Sequence, residues 1–103
     1  ADALIAHVAH IDRFGNILTD VRDPWAQAIL AAPAMALTIA GHTVTARART
    51  FAEGPEGALF VYRDSSGYLA IAQRNGSAAA ALALPAADIF KLPLMITGIE
   101  APS

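Results

Sequence analysis

The stretch "HIDRFGNILTDV", residues 10–21, decides how this chain is read. An apolar run reaches Asp12, bends through Phe14-Gly15-Asn16 and resumes as Ile17-Leu18-Thr19. Upstream, "ALIAHVAHID" (residues 3–12) has the pattern of a buried strand in which Leu4, Ile5 and Val8 carry the packing. A second strand over residues 16–21 then pairs with it across the Gly15-Asn16 turn. The bend is therefore a hairpin, and the chain opens as a β protein.

The same logic extends downstream. Asp23 offers an N-cap oxygen with Pro24 at the first helical position, so "WAQAILAA" continues as a short helix that Pro33 helps to end. "ALTIA" and "TVTARART" flank Gly41 as a second hairpin, with Val44, Ala46 and Ala48 alternating against threonines and arginines. "FAEGPEG" is a loop, and "ALFVYRD" and "YLAIAQ" are strands joined by the Ser65-Ser66-Gly67 turn. Asn75-Gly76 makes a left-handed bend before a short helix in "SAAAALAL". "DIFKLPLMITGI" is a last strand, with Pro93 pointing to an edge or a bulge. The sum is all-β: a small closed or nearly closed barrel of about seven strands with one or two short helices.

Composition narrows the functional classes. A chain of 103 residues is one domain, and at 55% hydrophobic and 16% charged it can bury a core. Much of the apolar content is alanine, so the core leans on Leu, Ile, Val, Phe14, Phe51, Phe60, Phe90 and Trp25. With a net charge of −2 and no Lys/Arg run, nucleic acid is not the expected partner, because phosphate neutralisation needs clustered cations. There is no cysteine, hence no disulfide or thiolate chemistry, and an intracellular, cytoplasmic setting fits. No apolar run approaches the roughly 18 residues of a membrane span.

Several turns gather binding chemistry, and each also has a plain structural reading. Asp12 can pair with an ammonium, Asn16 offers one acceptor and two donors, and Phe14 can cover a flat ligand. Alternatively, Gly15 and Asn16 only turn the hairpin while Asp12 bonds local backbone amides. Ser65 and Ser66 with the following Gly67 suit a carboxylate, or form a solvated turn. The backbone around Asn75 and Gly76 can meet a ligand edge, and Phe51 either stacks on a base or plugs the barrel end. His7 and His10 lie three apart on a strand and face opposite sides, so no metal site is expected. No catalytic dyad, Gly-x-Ser-x-Gly elbow or P-loop is visible.

Two motifs taken together change the weights. "IDRFGNILTDV" (11–21), followed about 45 residues later by "DSSGYLAIAQRNGSAA" (64–79), resembles the C-terminal domain of the SAM hydroxide adenosyltransferases, the adenosine-forming SAM hydrolases related to fluorinase and chlorinase. An intervening Thr50-Phe51-Ala52 is of the expected kind. The resemblance implies a C-terminal β-barrel, residues 1–103, that follows an N-terminal α/β domain absent from this chain. It implies a homotrimer in which S-adenosyl-L-methionine (SAM), a substrate with no further cofactor, lies between this barrel and the α/β domain of a neighbouring subunit.

Carried over residue by residue, Asp12 matches the acid that holds the methionine ammonium. Ser65 with the N–H of Ser66 matches the carboxylate site, Asn16 the amide at the adenine edge, Phe51 the ring beside adenine and the Asn75 backbone the remaining adenine edge. No catalytic residue maps here: the Asp-Arg-His set that activates water lies in the other domain. Asp20, Ala70 and Gln73 depart from the family's frequent Asn and Glu and from the halogenases' Arg, and Leu18 replaces a tryptophan of halogenating relatives, which favours hydrolysis. The alternatives are the C-terminal domain of a SAM-dependent halogenase, or a non-catalytic nucleoside-binding or oligomerisation barrel.

Overall fold

The computed structural model describes residues 2–83 and 92–102. Its strands are β1 (Asp2–Ile11), β2 (Ile17–Arg22), β3 (Ala36–Ile39), β4 (His42–Val44), β5 (Leu59–Arg63), β6 (Tyr68–Gln73) and β7 (Pro93–Ile99), with helices α1 (Trp25–Ala31) and α2 (Ala78–Ala81). They form one antiparallel seven-stranded sheet in the order β4-β3-β7-β1-β2-β6-β5. The two edges nearly meet. β3 runs out of partners for the chain beyond Val44, and residues 46–48 cross to β5, where Val61 N donates to Ala46 O (2.9 Å) and Ala48 N to Val61 O (3.0 Å). That contact turns the sheet into a nearly closed barrel and removes most of the exposed edge.

Inward residues follow the period of two. Ala6 and Val8, Ile17, Thr19 and Val21, Leu37 and Ile39, Val61, Leu69 and Ile71, and Leu94 and Ile96 are buried. Ile99 is buried too, one residue out of phase where the β1–β7 register shifts, and Ala26 and Ile29 of α1 pack against this core. Thr19 is the polar exception among the described residues, and it is satisfied: its Oγ1 donates to Leu69 O (2.8 Å) and accepts from Val21 N (3.1 Å) where the β2–β6 register slips.

Several expectations need correction. Ile5 is 59% exposed, because consecutive Leu4 and Ile5 cannot both face the core of one strand. Phe14 (65% exposed) and Phe51 (40%) are not core residues, and Phe90 lies outside the described residues. The second strand of the Gly41 hairpin stops at Val44 rather than running to Thr50. β7 is flanked on both sides; its Pro93 is tolerated as the first strand residue, and the expected portion at 88–91 lies outside the described residues. Of the helix expected over 77–84, the structure has Ala78–Ala81, and Leu84 lies outside the described residues. Pro24, not Asp23, occupies the α1 N-cap: the Asp23 carboxylate is drawn instead to the Arg63 guanidinium (Nε to Oδ2, 2.7 Å) and to Gln27 (3.2 Å).

A second buried layer lies outside the barrel. Antiparallel pairing puts Phe60 opposite Ala72 and Tyr62 opposite Ala70, on the face of β5–β6 turned away from Val61 and Ile71. Phe60, Ala70 and Ala72 are fully buried yet do not join the central core cluster. The segment after a 3₁₀ turn (Phe51–Glu53) is seated on Phe60, and a Cβ on Gly54 would overlap the ring. This layer positions the site.

Candidate binding site

The second layer leaves a cleft of about 620 Å³ lined by Phe14, Asn16, Phe51, Tyr62, Asn75 and Gly76. Its size falls within the roughly 300–1,000 Å³ of small-molecule sites, and its make-up, aromatic faces with a few amides, is of that kind. Each wall has a local cause. The β1–β2 hairpin turns at Gly15 (φ +83°), where a side chain would collide with Ser77. Gly15 O in turn accepts from Ala79 N (3.0 Å), so the hairpin tip is docked on the start of α2. Ser77 caps that helix by accepting from Ala80 N (3.1 Å). Phe14 and Asn16 thus come to lie beside the left-handed Asn75 (φ 60°) and Gly76.

The Phe51 wall is aromatic. Phe51 lies 6.0 Å from Phe60 and 6.1 Å, edge-on, from Tyr62, while Phe60 and Tyr62 are 5.8 Å apart. Phe51 therefore roofs the outer layer instead of plugging the barrel end. The Arg13 guanidinium sits 4.9 Å over the exposed Phe14 ring.

Asp12 belongs to the hairpin. Its Oδ1 accepts from Phe14 N (2.9 Å) and Asn16 N (3.0 Å), and its Oδ2 from Asn16 Nδ2 (3.0 Å). The structural reading of the turn is thus realised in full, but it does not exhaust the chemistry. A carboxylate oxygen has two acceptor sites, so Oδ2 retains one, and the Asn16 amide keeps its oxygen and one hydrogen. The Ser65 and Ser66 turn stands apart from the cleft lining. Both serines are exposed, and the Ser66 N–H donates to Asp64 Oδ1 (2.9 Å), which also takes the Tyr68 N–H (2.9 Å).

The residue that sequence reasoning missed is Tyr62. It is half-buried, and burial first, then the charges of Asp12 and Asp64, push its phenol above the ordinary value of 10.0. The phenol stays neutral and lies within reach of the fields of both turns. What sets Tyr62 on the outward side of β5, two residues before the Asp64 turn, is its pairing opposite the small Ala70, a register that the sequence alone does not display. Among the described residues no group of three His, Cys, Asp or Glu side chains is placed to hold a metal, and no helix is long and apolar enough to cross a membrane.

Comparison with known proteins points the same way. The family model for the SAM hydroxide adenosyltransferase C-terminal domain matches residues 6–91. An (R)-S-adenosyl-L-methionine hydrolase from Salinispora arenicola (strain CNS-205) is 36% identical over 87 residues, covering 84% of this chain and 31% of that protein. Among solved structures, an uncharacterized conserved protein from Thermotoga maritima superposes with a TM-score of 0.71 at 24% identity, over 91% of this chain and 35% of that one. A conserved hypothetical protein from Thermus thermophilus gives 0.64 at 32% identity, over 90% and 34%. The chain spans about a third of the length of each of these relatives.

Proposed function

This chain belongs to the SAM hydroxide adenosyltransferase C-terminal domain family, and from that premise we propose that it is the substrate-binding half of an enzyme that hydrolyses SAM to adenosine and L-methionine. The observation that carries the reading is the cleft in which Phe14, Asn16, Phe51 and Asn75 converge from separate stretches of chain. In this reading adenine stacks against Phe51, its edge read by the Asn16 amide and the backbone at Asn75. The methionine end runs past Tyr62. Its ammonium takes the open site on Asp12 Oδ2, and its carboxylate takes the Ser65 hydroxyl and the Ser66 N–H, released from Asp64.

The chemistry asks little of these residues beyond placement. Water forms the C5′–O bond as the C5′–S bond breaks, the electron pair returns to sulfur, and the water proton passes to a base outside this chain. The sulfonium is already a good leaving group, so holding water and C5′ in line supplies much of the acceleration. The exposed Phe14 and Phe51 at the cleft rim suit a site completed by another surface. We assign that surface to the α/β domain of a neighbouring subunit in a homotrimer.

The test is incubation of the complete polypeptide, as the cell makes it, with SAM in isotopically labelled water. Label in the adenosine 5′-hydroxyl, with methionine released, is the expected result. A 5′-halogenated adenosine on adding chloride or fluoride would assign the halogenase instead. No product under either condition would leave a binding or oligomerisation barrel.

A further inference from the structure

We infer that Glu56 is a positioning residue that ties the two walls of the cleft together. It does not line the cleft, yet its Oε1 accepts from Asn75 Nδ2 at 2.8 Å and lies 3.6 Å from an Arg74 guanidinium nitrogen. The other Arg74 terminal nitrogen donates to Gly54 O (2.9 Å), and the backbones of Glu56 and Arg74 form an isolated parallel bridge. One carboxylate thus links the loop that carries Phe51 to the bend that carries Asn75. Both ends need fixing. Asn75 holds a left-handed backbone (φ 60°), a conformation that asparagine tolerates but does not hold on its own. The loop is also anchored by Gly54 on the Phe60 ring, two residues before Glu56.

The exposure of these groups decides what the link does. The Glu56 side chain is 66% exposed and that of Arg74 33%, so solvent screens the ion pair and its contribution to global stability is small. Its larger effect is geometric: without it the Asn75 side chain loses its partner and the loop is held to Arg74 only by the backbone bridge and the Gly54 carbonyl, so a flat ligand must order more of the cleft wall on binding. This inference rests on reading the cleft as a nucleoside site.

The experiment compares Glu56→Ala and Glu56→Gln with the wild type in the complete polypeptide, measuring adenosine and SAM affinity by calorimetry and unfolding by thermal melt. Glutamine keeps an oxygen for Asn75 Nδ2 and loses only the charge. The alanine variant is expected to bind both ligands about fivefold or more weakly, with the melting temperature nearly unchanged and the glutamine variant within about twofold of wild type. Wild-type affinity in Glu56→Ala overturns the inference. So does a parallel fall of affinity and melting temperature, or an equal loss in both variants, which would assign the effect to charge. A wild type that binds neither adenosine nor SAM overturns the nucleoside reading itself, and this inference with it.

Discussion

Asp12 shows how one side chain serves two ends at the residue scale. Three donors from its own hairpin converge on the carboxylate, which shapes the turn and holds Asn16 at the cleft. Replacement by asparagine keeps an oxygen for the two backbone N–H groups and removes the charge. Asp12→Asn is therefore expected to cost about 1 kcal/mol or less in urea unfolding, while SAM affinity falls at least tenfold and adenosine affinity, which loses only the Asp12 bond that orients the Asn16 amide, falls by less. Equal losses for the two ligands would count against the ammonium contact. The residue's place at a bend was legible in Ile11-Asp12-Arg13-Phe14-Gly15-Asn16; that its donors are all local was one of two readings, and only coordinates separate them. Tyr62 was not legible, since an aromatic in an apolar strand reads equally as core.

Among the elements, the contact of β5 with the entry to α1 carries a pH signature. The Arg63 guanidinium, by hydrogen bond first, holds the Asp23 carboxyl below its ordinary value of 3.8; burial opposes it, and Gln27 adds to the lowering. The native pKa is thus lower than the unfolded one, so the ion pair's contribution is present above pH 3.8 and is lost as pH falls through the native value. The melting temperature of Asp23→Asn is expected to fall less steeply than that of wild type below about pH 4 and to lie lower at neutral pH. A superimposable acid limb would refute the assignment. The helix itself was legible from its apolar spacing and Pro24, but its cap was not, because the competing Arg63 lies 40 residues away.

For the whole molecule, the decisive feature is that the barrel is apolar on both sides of β5–β6. The inner layer closes the barrel through Val61, and the outer layer, built on Phe60, seats the Phe51 loop. Phe60→Leu is expected to cost about 1–2 kcal/mol, since a fully buried ring shrinks without leaving a polar group unpaired. Because the same ring supports Phe51, adenosine affinity is expected to fall several-fold at a temperature where the variant remains folded. Retained affinity would show that the outer layer does not organise the cleft.

Most of the strands, their turns and the polar residues at the bends were legible along the chain, because those depend on alternation over neighbouring residues and on glycine and proline at fixed positions; the early end of β4 at Val44 was not. The tertiary structure alone decided which strands are buried on both faces. It also decided where residues 46–48 leave β3 for β5 and which separate turns share a cleft. Those outcomes depend on partners brought together across the fold, such as Gly54 with Phe60 and Glu56 with Asn75. No local pattern records such a pairing, because its energy exists only once the barrel has brought both sides together.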